Sequence, residues 1–150
     1  MGTEVQIRLM EIDDLDQVME VEHDSFTSPW SRAAFVNELT TNQFAYYLVA
    51  EIDKRIVGYI GVWIIVDEGH ITNIAVHSNY RRKGIGDLLL KGAIELGKTL
   101  GATKLTLEVR VSNIRAQNMY KKNGFQYGGI RKRYYTDNQE DARIMWVGLE

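Results

Sequence analysis

Apolar residues recur along this chain in two rhythms, and the change from one to the other marks out its elements. Between Lys104 and Val111 every second residue is apolar (Leu105, Leu107, Val109, Val111), with Thr106, Glu108 and Arg110 in the alternate places. Such alternation predicts a half-buried strand. From Gly86 to Leu100 the apolar positions Ile85, Leu88, Leu89, Ala93, Leu96 and Leu100 return at helical spacing instead, and Gly101 stops the run. The same reading predicts strands over Val5 to Leu9, Ala45 to Glu51, Ile56 to Val66 and His70 to Val76, with two more at roughly Gln126 to Ile130 and Ala142 to Leu149. A helix should start at an Asp13 or Asp14 cap and run to about His23, with Leu15, Val18, Met19 and Phe26 on its apolar stripe. A second contains Ala34, Phe35 and Leu39; its cap is Ser28, with Pro29 in the first turn, or else Ser31. A last helix runs from a Ser112-Asn113 cap to Lys122, closed by Asn123-Gly124 with Phe125 just beyond.

The links between these elements decide how they pair. Asp53-Lys54 and Asp67-Glu68-Gly69 are too short for anything but antiparallel neighbours, since a parallel return needs a dozen or more residues. His70 to Val76, the helix after it and Lys104 to Val111 form a strand–helix–strand unit, whose strands should be parallel. The expected class is therefore mixed α/β, a largely antiparallel sheet containing one parallel pair. No repeat, low-complexity tract or linker divides the chain, and 150 residues suit a single domain spanning 1–150.

Composition narrows the classes. Hydrophobic residues at 45% and charged residues at 25% are average for a globular protein, and a net charge of -2 argues against a general nucleic-acid binder. With no cysteine, disulfides, thiolate metal sites and a cysteine nucleophile are excluded, which suits a reducing, cytoplasmic setting. The first residues lack the basic start and apolar run of a signal peptide, and Gln6 stands where a myristoylated Gly2 needs Ser or Thr. Apolar runs such as Ile60 to Val66 are too short to cross a bilayer, so no membrane partner is expected. His23, His70 and His77 show no metal-ligand spacing, and no metal is expected.

One segment stands apart from that even balance. In Tyr80-Arg81-Arg82-Lys83-Gly84-Ile85-Gly86-Asp87, three cations run into two glycines as the apolar helix begins. A plain solvated turn is the simplest reading. A Walker-type loop is excluded, because no Gly-x-x-x-x-Gly-Lys-Ser/Thr string exists. A dinucleotide fingerprint fails because Leu89 occupies the third glycine position, His77 to Lys83 separate strand from glycine, and an antiparallel meander precedes the unit. What survives is a pyrophosphate cradle: unpaired N–H groups at a helix start, glycines that let backbone close on the ligand, and cations for phosphate oxygens.

Here the chain resembles the GNAT acetyltransferases, whose Arg/Gln-x-x-Gly-x-Gly/Ala signature is matched by Arg81-x-x-Gly84-x-Gly86. Its placement after Asn73-Ile74-Ala75-Val76 and before an apolar helix strengthens the match, and the likeness extends over nearly the whole chain. Leu107-Glu108-Val109-Arg110-Val111-Ser112-Asn113, Ala116, Tyr120, Asn123-Gly124-Phe125, Ser28-Pro29-Trp30-Ser31 and Arg131-x-Arg133-Tyr134-Tyr135 resemble its bacterial ribosomal-protein-alanine N-acetyltransferase branch. Thr136 departs from the proline of several relatives, which bears on the local loop and peptide selectivity. The resemblance implies a mostly antiparallel sheet splayed at a central parallel strand pair and flanked by helices. It also implies acetyl-CoA as cosubstrate and, as acceptor, a protein N-terminus, the alanine of a small-subunit ribosomal protein.

By matching position, the segment Arg81, Arg82, Lys83, Gly84, Ile85, Gly86 and Asp87 would hold the pyrophosphate, and Asn113 would contact CoA. The backbone of Ile74, Ala75 and Val76 would pair with the pantetheine arm, with Val76 N–H toward the thioester oxygen. Glu108 matches the family's base and lies on the polar face of its strand, though a salt-bridged surface carboxylate would read the same way. Tyr120 matches the acid: a phenol can protonate a thiolate of comparable basicity, while Ala116, Met119 and Tyr120 also form an apolar helical stripe. Asn113 is equally a helix cap. Trp30, Tyr134 and Tyr135 suit either a peptide groove or ordinary half-buried positions, and Arg131-Lys132-Arg133 reads as a solvated strand edge. Acetylation of lysine or a small amine, and a non-catalytic acyl-CoA-binding module, remain alternatives. Oligomeric state is not legible.

Overall fold

The computed structural model describes residues 4–149, so Gly2, considered above for acylation, lies outside the described residues. In chain order the elements are β1 (Gln6–Leu9), α1 (Leu15–Ser25), α2 (Arg32–Thr40), β2 (Ala45–Ile52), β3 (Arg55–Ile65), β4 (Glu68–Val76), α3 (Ile85–Thr99), β5 (Lys104–Arg110), α4 (Ile114–Lys122), β6 (Gln126–Tyr135) and β7 (Glu140–Gly148). The strands form one seven-stranded sheet in the order β1-β2-β3-β4-β5-β7-β6. Every pairing is antiparallel except β4 with β5.

That parallel pairing is short. Only Glu68, Gly69 and His70 face Lys104, Leu105 and Thr106; beyond them the two strands part. Helix α3, the crossover between them, packs on one face, where Leu89, Leu90 and Ala93 are buried with Leu48, Ile60, Leu105 and Leu107. Helices α1 and α2 cover β2, β3 and β4 on the other face, burying Leu15, Val18, Val21 and Phe35 with Tyr47, Val49 and Tyr59. Among the described residues no helix is long and apolar enough to cross a membrane.

Local chemistry explains most of the boundaries. Ser31, not Ser28, caps α2, its Oγ accepting the Ala34 N–H at 3.1 Å. Asp14 precedes α1 without capping it; its carboxylate takes the Glu11 N–H at 2.7 Å and Arg8 at 2.8 Å, closing a 3-10 turn over Ile12–Asp14. Phe26 is not on the α1 stripe, because the chain turns extended there and leaves the ring partly exposed. Strand β6 runs to Tyr135 rather than stopping near Ile130; exposed from Gln126 to Tyr134, it carries no apolar alternation to reveal it.

The turns differ in quality. Asp53 and Lys54 both take left-handed backbone (φ 49° and 67°), the tight hairpin geometry that Asp tolerates. The next hairpin turns at Val66 and Asp67, since Ile65 pairs with Glu68, and places β-branched Val66 at φ 57°. That conformation crowds Cβ, and the side chain, 88% exposed, gains no packing in return. Val66→Asn should therefore stabilise the protein by about 1 kcal/mol, read as a higher urea midpoint with unchanged slope. A lower midpoint would show that Val66 contributes more than its exposure suggests.

Candidate active site

A cleft of about 980 Å3 opens where β4 and β5 part. Its floor is the exposed flank of β4. His77 N–H bonds to Val57 O at 2.8 Å and Arg81 Nε reaches Val76 O at 3.0 Å. Because antiparallel pairing alternates, the backbone groups of Ile74 and Val76 turn into the splay, whereas those of Ala75 turn toward β3. Arg81, which also lies 3.7 Å from Asp24, lines the cleft with Gly86, Asn113 and Tyr120.

The helix that starts there is uncapped. Gly84 sits at φ 77° and no side chain bonds the first turn of α3, so its leading N–H groups are free for a ligand. A Cβ at Gly84 would meet nothing within 4 Å; there the glycine serves backbone conformation. Arg82, Lys83 and Gly84 are exposed around this start without lining the cleft. Ile85 is buried in the core beneath it. Asp87 turns its carboxylate away, onto Lys91 at 2.8 Å and Asn123 at 2.7 Å. The Lys91 hydrogen bond, then Asn123, holds that carboxyl below the usual range. Asp87 thereby ties the start of α3 to the end of α4.

The opposite wall carries Glu108. The parallel register sets His70 beside Thr106, so Glu108, two residues further, projects from the same face as a diagonal neighbour of His70. His70 Nε2 lies 2.7 Å from Glu108 Oε1, and Arg131 Nε lies 3.5 Å from Oε2. With its side chain only 11% exposed, Glu108 meets opposing influences. The His70 hydrogen bond lowers the carboxyl's pKa most, burial raises it, and Arg131 lowers it further; the result lies below the ordinary value. This carboxylate is ionised at neutral pH.

Tyr120, on α4, is buried against Phe125 with ring centroids 5.7 Å apart. Burial, then Tyr135, drives its hydroxyl's pKa well up, so the phenol keeps its proton. Asn113 caps α4 at Ala116 N–H (3.2 Å) while lining the cleft, so capping and site placement coincide. Arg110 fastens the β6–β7 turn over this end. It reaches Asp137 at 2.8 Å, and Glu140 and Asn138 each at 3.2 Å, and stacks 4.0 Å from the Tyr135 ring. Burial pushes Tyr135 up to about 12.

The α1–α2 side supplies a polar group that the sequence reading passed over. Glu22, 2% exposed, accepts a hydrogen bond from the Tyr59 hydroxyl and takes the Trp30 N–H at 2.8 Å; Asn73 in turn donates to Tyr59 at 3.0 Å. Its signal was present, for Glu22 shares the helical stripe of Leu15 and Val18 that should face the core. Trp30 lines the same wall and meets Phe35 in a tilted contact with ring centroids 5.2 Å apart. His70 carried no comparable signal, because its contact spans 38 residues and arises only from the β4–β5 register. His77 lies 3.8 Å from Asp24, and among the described residues no three acidic or histidine side chains converge as a metal would need. An ionised carboxylate and a protonated phenol thus face one cleft, bounded by a free helix start and an unpaired strand flank.

Known proteins share this sequence pattern and this fold. Residues 15–125 match the model of the acetyltransferase (GNAT) family. A Bacillus subtilis (strain 168) protein, provisionally named a ribosomal protein bS18-alanine N-acetyltransferase, is 52% identical over 149 residues, 99% of each chain. The crystal structure of the ribosomal-protein-S18-alanine N-acetyltransferase from Escherichia coli matches with a TM-score of 0.89 and 30% identity, over 98% of this chain and 95% of that one. The PaiA N-acetyltransferase of Thermoplasma acidophilum in complex with coenzyme A matches with a TM-score of 0.81 and 25% identity, over 97% and 99%.

Removing the Tyr59 hydroxyl isolates one wall of this site. Tyr59→Phe leaves buried Glu22 short of a donor, and unfolding in urea should show a loss of about 1–3 kcal/mol. A variant as stable as the parent would mean that Glu22 finds another partner.

Proposed function

The chain belongs to the GNAT acetyltransferase family, and from that premise we propose that it acetylates the α-amine of a protein N-terminus, the alanine of a small-subunit ribosomal protein, in the cytoplasm. Residues 1–150 act as one domain in this reading. The observation that carries the chemistry is the pairing of an ionised, half-enclosed Glu108 with a protonated Tyr120 on one cleft. The names of the two ribosomal-protein relatives support the acceptor.

The residues present fit acetyl-CoA. The free start of α3, with Gly84, Gly86 and the cations Arg81, Arg82 and Lys83, suits a pyrophosphate. The open backbone of Ile74 and the free Val76 N–H suit an added extended chain such as the pantetheine arm, and Asn113 stands where it can contact CoA. Bound there, acetyl-CoA supplies an acetyl group activated as a thioester. Glu108 then collects the proton lost by the attacking amine, directly or through one water. Val76 N–H steadies the oxygen that becomes negative, and the Tyr120 hydroxyl donates the proton that the departing sulfur needs.

An α-amine is a suitable acceptor for so weak a base. Near pH 7 about a tenth of an α-amine is neutral, against less than about a thousandth of a lysine side chain.

Mass spectrometry of one mixed reaction tests the acceptor. It contains acetyl-CoA, an alanine-starting peptide with internal lysines, and the same peptide blocked at its N-terminus. Acetyl on the free N-terminus alone is expected. Label on lysine in both peptides would reassign the acceptor, and no label despite acetyl-CoA binding would favour a binding module.

Glu108→Gln keeps the shape of the side chain but cannot take a proton. Turnover of the bound complex should fall about 100-fold or more, with acetyl-CoA affinity changed less than about twofold. Because His70 holds the Glu108 carboxyl below its ordinary range, the base is already ionised at pH 6 and adds no titration near neutrality. The parent's kcat/KM should therefore rise about tenfold per pH unit until the acceptor amine titrates near pH 8. Full turnover in the variant would remove Glu108 from the mechanism, whereas a plateau reached by about pH 6 would show that the amine does not arrive neutral.

A further inference from the structure

Among the described residues, Glu108 has one neighbour able to relieve it of a proton. We infer that His70 carries that proton out of the cleft, through a second opening on the same face of the sheet, and so acts as the positioning residue of the base. The inference rests on the reading of Glu108 as base.

Three observations lead to it. The contact between His70 Nε2 and Glu108 Oε1 is 2.7 Å, short enough for direct transfer. The two side chains differ in access: Glu108 is 11% exposed and His70 37%. They also line different cavities. Glu108 borders the large cleft and not the second, a depression of about 280 Å3 formed by Trp63, Ile65, Glu68, Gly69, His70 and Thr106, while His70 borders that depression and not the large cleft. The imidazole is thus the bridge between them. With both substrates seated in the large cleft, solvent reaches Glu108 there only past the substrates themselves.

The remaining groups near Glu108 cannot serve. Arg131 at 3.5 Å is a permanent cation with no site for another proton. Tyr134 and Tyr135, whose hydroxyls are raised in part by the Glu108 charge, hold their protons at neutral pH and accept none. Imidazole alone can accept a proton at one ring nitrogen and give one up at the other. Among the described residues no group pairs with His70 Nδ1, which leaves that nitrogen free to exchange with water.

The steps balance. As the neutral amine attacks, one of its N–H bonds breaks with the electron pair staying on nitrogen, and an O–H bond forms at Glu108. At rest the imidazole carries its proton on Nε2 and donates it to the carboxylate. Once Glu108 is protonated, exchange with water moves that proton to Nδ1. The Glu108 O–H then breaks as an N–H forms at Nε2, and the imidazolium releases its Nδ1 proton to water, which restores the starting tautomer. The C–S bond breaks with its electron pair on sulfur, which takes the Tyr120 proton; water then returns a proton to the Tyr120 oxygen, matching the one that leaves through His70. Carboxylate and imidazole both return to their initial states.

The test uses the full chain with His70→Ala and His70→Gln. Both should lose kcat about tenfold or more, with KM for acetyl-CoA and peptide changed less than about twofold. Added imidazole should restore His70→Ala, where the ring's space is vacated, and leave His70→Gln and Glu108→Gln unchanged. Full kcat in His70→Gln, whose amide still donates a hydrogen bond to Glu108, would overturn the outlet and leave His70 a mere prop. So would a loss in His70→Ala that imidazole does not repair. Should His70→Ala fail to fold by circular dichroism, kcat of His70→Gln decides alone. Full turnover in Glu108→Gln would be a different failure, removing the base itself rather than its outlet.

Discussion

Three residue pairs, Glu68 to His70 against Lys104 to Thr106, join the two halves of the sheet, and the rest of the molecule is arranged around that short parallel junction. A full-length pairing would have satisfied the backbone of Ile74 and Val76 within the protein. Stopping after His70 leaves the Ile74 groups and the Val76 N–H to water or to a ligand, the Val76 carbonyl being taken by Arg81, a cost that a buried strand would not tolerate. The divergence is held open from one side by α3, which packs tightly against the sheet: Gly58 leaves room for Leu89, and Gly92 for Leu48 and Ile7. An extended chain laid in the gap would replace the missing strand contacts. The same geometry that weakens the sheet therefore makes the binding edge.

The two faces of the sheet solve different problems. Under α3 the contacts are apolar, which suits a helix that must hold the crossover rigid. Under α1 and α2 two carboxylates are buried, each answered by aromatic donors. Glu38 receives Tyr47 at 2.9 Å, Trp63 at 2.7 Å and Asn42 at 2.9 Å, while Glu22 receives Tyr59 and the Trp30 backbone. Hydrogen bonds to charged groups are worth about 1.5–3 kcal/mol each when satisfied, and losing a partner is costly. Such directional bonds fix where α1 and α2 stand over β2, β3 and β4. They also set the α1–α2 wall of the cleft, because Glu22 and Trp30 belong to both the network and the lining.

What the sequence shows and what it hides divide along the same physical line. Periodicity reported α3, β5 and the meander closely, since a face that must be buried repeats at the period of its own element. The glycine turn was legible for a similar reason: Gly84 acts through local backbone, at φ 77°. Strand β6 beyond Ile130 escaped because it is exposed on both faces and pairs through bulges near Tyr127 and Arg131. Val66 escaped because an apolar residue in a turn mimics the strand before it. The contact of His70 with Glu108 depends on which residues of two distant strands come abreast, and no single stretch of chain encodes that. Arg110 is a similar case: as a polar residue on an alternating strand it looked ordinary, yet it fastens the β6–β7 turn.

On the proposed reading, these surroundings also bear on the choice of amine. A carboxylate lowered by His70 and Arg131 is a poor base for an ammonium ion at rest. It becomes adequate only as the new N–C bond forms and the nitrogen grows acidic, so the enzyme draws on amine that is already neutral. The gap between α-amine and lysine is about 2.4 pKa units, close to 3 kcal/mol of advantage before any contact with the rest of the peptide. A raised carboxyl would narrow the effect of that gap by removing the proton earlier. Selectivity for an N-terminus would then begin with the weakness of Glu108, and the walls around Glu22 and Trp30 would refine a preference that the base had already set.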